Sequence, residues 1–295
     1  MSTVVHEGGQ RQAETGNGSR GERRMALFSL ENRVGRISAQ IAFLVAVLLT
    51  WHWFTVSGLI PKILVAGPLD VLNSLWTSMQ DIATGGSMAE HFWTSAQEIL
   101  LGFAFATLIG VAMGALIAEF KPIRTLVVPY VVALNSMPRI AIAPMVLVWF
   151  GFGTSSKIVM SLLTATFPIL IATATGLTAS DRATQRLMRA YGATRWQTFR
   201  KVKIYDALPY FFAGLEIGIT LATVGAIVGE FMGGNAGLGY VILVAQESLN
   251  LPLVFSTLIL LSFLGTGLHR LVLLLRGRVI YWKTEDDEKS IQKSK

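Results

Sequence analysis

The stretch RATQRLMRAYGATRWQTFRKVKIYDALP runs from Arg182 to Pro209 and holds seven cations: Arg182, Arg186, Arg189, Arg195, Arg200, Lys201 and Lys203. It lies between two long apolar runs. Cations gathered between apolar runs mark the largest cytoplasmic loop of a membrane protein. The loop has two helix-capable halves. Ala183–Tyr191 is closed by Gly192, which suits the position after a helix because glycine adopts positive φ without a steric penalty. Thr194–Val202 opens on a threonine placed to cap it. A helix–Gly–helix loop held at the membrane face is a rigid knob that another protein can grip. The plainer reading is an ordinary basic loop that obeys the positive-inside rule.

Composition agrees with a membrane setting. Of 295 residues, 52% are hydrophobic and 15% charged, against about 25% charged in soluble domains. The net charge of +7 does not point to nucleic acid, because the cations cluster in loops between apolar runs. There is no cysteine, so there is neither a disulfide framework nor a thiolate metal site. Four scattered histidines argue against a metal centre. No G-x-x-x-x-G-K-[ST] phosphate loop occurs, so ATP hydrolysis is not expected in this chain.

Residues 1–36 are polar and lack an apolar face, which predicts a disordered cytoplasmic tail. A lipid-binding arm using Arg20, Arg23 and Arg24 is the alternative, and Met25 is a second candidate start. Six runs are long enough to span a bilayer as helix: Ile37–Ile60, Ile99–Ala118, Leu126–Phe150, Ile158–Leu177, Pro209–Gly229 and Leu249–Leu268. Pro129, Pro138 and Pro144 interrupt the third, which also carries Arg139. Between the first two runs, Pro68–Ile82 predicts a short amphipathic helix. Residues 283–295 form a charged tail. With the N-terminus inside, 22 of the 25 Lys and Arg residues fall in cytoplasmic parts; Lys62, Arg139 and Lys157 are the others. That asymmetry predicts both termini and the 182–209 loop on the cytoplasmic side of a cell (inner) membrane.

The loop resembles the "EAA" coupling loop of ABC importer permeases, the membrane subunits served by a separate ATPase. Gly192 occupies the pattern's glycine and Val202 its hydrophobic slot. The Glu-Ala-Ala slot holds Arg186, Leu187 and Met188 instead, and the first Leu-Pro slot holds Ile204 and Tyr205, with Leu208–Pro209 following. Two other stretches are similar to permeases of the nitrate/sulfonate/taurine group: LNSMPRIAIAPMVLVWFG at Leu134–Gly151 and EFMGGNAGLGY at Glu230–Tyr240. With the coupling loop, the resemblance covers about residues 97–282. The resemblance implies an all-α, polytopic six-helix type I importer permease core, like that of the methionine importer permease, with cytoplasmic coupling helices. It implies a homodimer of permeases, two cytoplasmic ATPase subunits that hold the ATP and magnesium, and a periplasmic or lipid-anchored solute-binding protein. The solute it implies is small and anionic; relatives in the wider group carry thiamine-precursor-like heterocycles. The coupling residues implied are Arg186, Leu187, Met188, Arg189, Ala190, Tyr191, Gly192 and Ala193. The substrate path would take Asn135, Ser136, Pro138 and Arg139. A periplasmic gate would take Glu230, Gly237, Leu238, Gly239 and Tyr240.

Each feature has a plainer reading beside the functional one. An ionisable group at membrane depth faces a cavity or a partner rather than lipid, so Arg139 is either an anion contact or a structural partner of Glu216 or Glu230. Glu216 is expected at the interface beside Lys203 or Arg200, in preference to a proton relay. Glu230 either helps close a gate or is a solvated helix end. Trp149, Phe150 and Phe152 read first as an interfacial belt and second as a stacking surface. The G-x-x-x-G pairs Gly110/Gly114, Gly214/Gly218 and Gly225/Gly229 predict close helix packing within one subunit, with a dimer seam as the alternative. A secondary transporter would need an internal repeat and buried carboxylates along its path. No repeat is evident, and Glu216 is the carboxylate that interrupts the expected spans. No paired carboxylates or Ser/His/Asp set at membrane depth suggests an enzyme.

Overall fold

A computed structural model describes residues 33–57 and 65–281, all of them helical or in short connections. The tails expected at 1–36 and 283–295 fall outside these residues except at 33–36, which already belong to a helix. The chain divides into two units, Met1–Lys62 and Ile63–Lys295. The first contributes α1 (Arg33–Val56), whose Ile37–Val56 portion is long and apolar enough to cross a bilayer.

The second unit begins with α2 (Pro68–Thr84). Pro68 stands at its first position, where the missing N–H costs nothing. Gly85 ends it with φ +76°. The turn that follows is short because the Asp81 carboxylate accepts the Met88 N–H at 2.7 Å and so caps the next helix. That helix, α3, runs over Ser87–Glu119. It starts twelve residues before the expected Ile99, since Ser87–Glu98 contains no breaker. Glu98 therefore lies inside a helix and not in a loop.

The third expected span is two helices, α4 (Lys121–Asn135) and α5 (Arg139–Phe150), set at 102°. Pro138 is the cause. It lacks a backbone donor, disfavours helical geometry at the residue before it, and stands as the N-cap of α5. Next comes α6 (Thr154–Thr178). The loop holds α7 (Arg182–Ala190) and the single turn α8 (Arg195–Thr198). A π-helical segment, Phe199–Lys203, joins α8 directly to α9 (Ile204–Gly233). The expected break before Pro209 is absent: Arg195–Gly233 is one continuous span with Pro209 inside it. Then follow α10 (Leu238–Glu247) and α11 (Leu251–Val279), the latter capped by Asn250 and reaching eleven residues past the expected Leu268. Among the described residues, five helices can cross a bilayer, or six spans if the bent pair counts as one.

The core forms where α3 and α9 close on α6. Ile99 and Ala106 of α3, Ala165 and Ile169 of α6, and Ile219, Ala222 and Ala226 of α9 are fully or almost fully buried there. All three G-x-x-x-G pairs face α6. A Cβ on Gly110 or Gly114 would meet Ile169 or Thr173; on Gly214 or Gly218, Ala172 or Ile169; on Gly225 or Gly229, Thr164 or Lys157. Their job is backbone approach within this subunit, as the packing reading expected.

Candidate functional site

The Arg182–Pro209 loop is built by local capping. The Asp181 side chain accepts the N–H groups of Ala183 and Thr184, each at 3.0 Å, and opens α7. These donors hold the Asp181 carboxyl below the ordinary aspartate range, the Ala183 amide contributing most. Gly192 has φ +74° and ends α7: its N–H donates to Arg189 O, and the Ala193 N–H donates to Met188 O. Thr194 and Gln197 then form a reciprocal capping box at α8, with bonds of 3.2 and 2.8 Å. Leu187, Tyr191 and Trp196 are exposed on this frame, Tyr191 to 82%. Trp196 stacks on Phe199 with ring centroids 5.7 Å apart, tying the knob to the root of α9. A short rigid element carrying exposed aromatics and cations suits a protein groove.

The break between α4 and α5 gathers the second set of expected residues. Asn135 ends α4 and Ser136 follows, exposed, its hydroxyl donating to Val132 O at 3.0 Å. Pro138 caps α5, and Arg139 is its first residue. The Arg139 side chain lies outside the described residues. The two carboxylates considered as its partners are bonded elsewhere. Glu216 meets Arg276 at 3.1 Å, not Lys203 or Arg200, because α11 continues far enough to bring Arg276 alongside α9. Lys203 instead pairs with Glu119 at 2.6 Å.

Glu230 is the larger correction. It is fully buried, so it is not a solvated helix end. Its Oε1 accepts the Ser95 hydroxyl of α3 at 2.5 Å, and its Oε2 accepts the Gly239 N–H at the start of α10. The Ser95 Oγ in turn accepts the Leu238 N–H at 2.7 Å, and His91 Nδ1 accepts the Gly237 N–H at 3.2 Å. The Gly-Leu-Gly-Tyr run now has a physical reason. Gly237 has φ +109°, and a Cβ on Gly237 or Gly239 would strike the Glu230 carboxylate. Tyr240 packs towards His91, ring centroids 5.9 Å apart.

Sequence reading missed four members of this cluster: His91, Ser95, Glu98 and Lys157. Lys157, buried at the start of α6, donates to the carbonyls of Phe152 (2.5 Å), Gly153 (2.9 Å) and Gly233 (3.0 Å). It thus joins the α5–α6 turn to the end of α9. Glu98 is buried within electrostatic reach of Glu230 and Lys157, and its Oε2 has no hydrogen-bond partner among the described residues. A signal existed: Glu98 and Lys157 each abut an apolar run, Ile99–Ala118 and Ile158–Leu177. The cluster lies at the end of the bundle opposite the loop, since Lys157 begins α6 and the loop follows its end. Trp149, Phe150 and Phe152 are exposed near it, between 49% and 67%.

Apolar helices long enough to span a bilayer, one pair broken at Pro138, and a capped cationic knob at one end make this a polytopic membrane protein. The family model described as "Binding-protein-dependent transport system inner membrane component" matches residues 106–281, and the chain belongs to this family. It is 32% identical over 229 residues to the riboflavin transport system permease protein RibX of Chloroflexus aurantiacus, covering 78% of this chain and 84% of that one. It is 34% identical over 175 residues to the formylaminopyrimidine transport permease protein ThiX of Halalkalibacterium halodurans, covering 59% and 70%. It is 27% identical over 231 residues to the putative aliphatic sulfonates transport permease protein SsuC of Bacillus subtilis, covering 78% and 83%. Among solved structures, an inward-facing MetNI methionine ABC transporter chain matches with a TM-score of 0.50 at 23% identity, covering 63% of this chain and 95% of that one. This likeness establishes a shared fold.

Proposed function

We propose that two copies of this chain enclose the translocation path of an ATP-driven importer in the cell (inner) membrane, both termini cytoplasmic. Two ATPase subunits, which hold the ATP and magnesium, grip the loops through Arg186–Ala193, and a soluble or lipid-anchored binding protein delivers the solute to the opposite end. The observation that carries this reading is the loop: Asp181 and the Thr194–Gln197 box fix both halves of the knob, and Gly192 sets the angle between them. ATP binding draws the ATPases together, the knobs move with them, and the bundle rocks from one access to the other. The Glu230–Ser95–Gly237–Gly239 cluster holds α10 against α3 and α9 as the outer gate.

The solute is a small anion, met at the α4–α5 break by Asn135, Ser136 and Arg139, behind the kink that Pro138 makes. Guanidinium keeps its charge at any working pH, and Glu216 and Glu230 are bonded elsewhere. A second reading, a flat neutral heterocycle, is favoured by the riboflavin and formylaminopyrimidine transport named in two relatives.

Co-purification of the tagged chain with a nucleotide-binding subunit tests the assembly; its absence from a mild-detergent preparation overturns it. Uptake by Arg139→Gln decides the solute. A loss of about 10- to 150-fold follows from removing one charge-assisted hydrogen bond, greater for a sulfonate than for a neutral heterocycle. Full-rate uptake removes Arg139 from the path. Because the chain has no cysteine, single cysteines at Thr194 and Asn235 report topology. Labelling of both from outside intact cells by an impermeant thiol reagent overturns the orientation.

A further inference from the structure

We infer that the loop end of the bundle carries a binding site for an anionic phospholipid, with one acyl chain seated in an apolar cavity beneath the coupling knob. The cavity measures about 230 Å³ and is open on one side. Val111 and Ala115 of α3, Leu177 of α6, Phe199 of the π segment, and Leu208 and Phe211 of α9 line it. Thr173 of α6 also lines it, its Oγ1 buried, and the rest of the wall is apolar. An apolar cavity of about 150 Å³ stays dry and admits benzene, so this one takes a longer hydrocarbon. The Thr173 hydroxyl is the one polar side-chain group in its lining, too little for a small polar solute, which separates it from the α4–α5 break.

The charge around the cavity selects the occupant. Arg200 and Lys201 are exposed on the turn between two lining residues, Phe199 and Ile204. Lys121 and Arg124 are exposed at the start of α4, just after α3 ends at Glu119, one turn beyond Ala115. The acidic groups nearby are engaged: Glu119 pairs with Lys203 at 2.6 Å, and Asp206 accepts the Ser180 hydroxyl at 2.7 Å. An apolar slot beside four exposed cations at a membrane face complements a molecule with a hydrocarbon chain and an anionic head. Basic pockets between spanning helices on the cytoplasmic side bind anionic headgroups for this reason. A second copy of the chain fits less well, because it would bring the same cations face to face.

The site reaches the knob. Phe199 lines the cavity with one part of its surroundings and stacks on Trp196 of α8 with another, centroids 5.7 Å apart. Its segment is π-helical, a form that occurs mostly as single turns inside α-helices and frequently at functional sites. A chain in the cavity therefore props Phe199 and stiffens the root of the coupling loop. The inference rests on the orientation proposed above, and lipid retention reads it out independently of transport or ATPase binding.

The test is native mass spectrometry of the purified full chain, titrated with phosphatidylglycerol and with phosphatidylcholine. Phosphatidylglycerol is expected to be retained at least about fivefold more strongly, the gain for one cation near an anionic group. Filling the cavity with Ala115→Phe, or with the smaller Ala115→Leu should the first fail to fold, is expected to cut that retention about tenfold. Arg200→Gln with Lys201→Gln is expected to remove the preference for the anionic lipid while leaving the neutral one unchanged. Hydrogen exchange at residues 195–203 is expected to slow when phosphatidylglycerol is added. Equal retention of the two lipids, or undiminished retention in both Ala115 variants, overturns the site. Disulfide cross-linking between two copies carrying Ala115→Cys also overturns it, because it makes the cavity a seam between subunits.

Discussion

The two ends of the bundle hold their polar groups in opposite ways. At the loop end, most described cations are exposed, and the knob itself is ordered by neighbours in sequence: Asp181 to Ala183 and Thr184, Thr194 to Gln197. At the far end, Glu230, Glu98 and Lys157 are buried, and the bonds that tie one helix to another there join distant parts of the chain. Ser95 and Glu230 are 135 residues apart, and Lys157 and Gly233 are 76 apart. A locally capped element can move as a body without losing its own bonds. A cluster assembled from α3, α6, α9 and α10 cannot shift without breaking bonds between buried groups. The first arrangement suits a handle and the second a latch.

The largest expected effect breaks the latch. Glu230→Ala leaves the Ser95 hydroxyl and the Gly239 N–H without their acceptor. Orphaned buried donors cost about 1–3 kcal/mol each, so the loss is roughly 2–6 kcal/mol. Thermal unfolding in detergent measures it, with Glu230→Gln losing less because one acceptor oxygen remains. Unchanged stability in the alanine variant would mean that the cluster is not holding α10.

The same contrast explains what the sequence revealed. Capping is a short-range code, so Gly192 and Thr194 were readable as the joint and cap of the knob, and their conformations agree. Apolar runs located the spans, although helix ends slipped wherever no breaker stood. Ser87–Glu98 was assigned to a connection and belongs to α3, and that slip hid Ser95 and Glu98. Pro209 looked like a helix start and is interior, because α8, the π segment and α9 run on without interruption. Glu216 was matched to nearby cations in sequence, but its partner Arg276 lies 60 residues away. Periodicity and capping carry no information about which distant helices meet.

A glycine comparison sharpens the difference. At Gly192 nothing lies within 4 Å of an added Cβ, so the penalty is backbone strain alone. Gly192→Val is expected to cost about 1–2 kcal/mol, confined to the loop: the subunit inserts, while ATPase association and coupled transport fall. Gly192→Asn loses less, since asparagine tolerates the left-handed region. Gly237→Ala adds a clash with the Glu230 carboxylate to a positive φ, so it is expected to lower the unfolding temperature more than Gly192→Ala. Equal shifts at the two glycines would erase the distinction between handle and latch.

A smaller effect is expected at the Lys203–Glu119 pair, 2.6 Å apart at the loop end with side chains 21% and 32% exposed. Partly exposed pairs contribute about 0.2–1 kcal/mol and are screened by salt. A double-mutant cycle of Lys203→Met and Glu119→Gln is expected to give a coupling in that range that fades towards 1 M salt. A coupling of several kcal/mol that ignores salt would place this pair with the buried cluster.

The smallest effect belongs to Asp181, which is fully exposed and acts on a single helix end. Its carboxylate accepts the Ala183 and Thr184 amides and the Thr184 hydroxyl, and these bonds hold its pKa below the usual aspartate value. The sign follows from the depressed folded-state pKa. The charged cap contributes fully above the unfolded aspartate pKa of about 3.9. Its contribution declines as pH drops below that value and is gone once pH has passed the lower folded pKa. Hydrogen exchange at Ala183 and Thr184 is therefore expected to be protected and flat from neutrality to about pH 5 after correction for intrinsic rates. Protection should then weaken on further acidification, while the amides around Ile169 in the α3–α6–α9 core stay protected. Asp181→Asn keeps an acceptor oxygen and removes the charge, so it should show slightly weaker protection at neutral pH and no acid transition. An acid transition that persists in Asp181→Asn would assign the titration to another group and leave α7 ordered by something other than its cap.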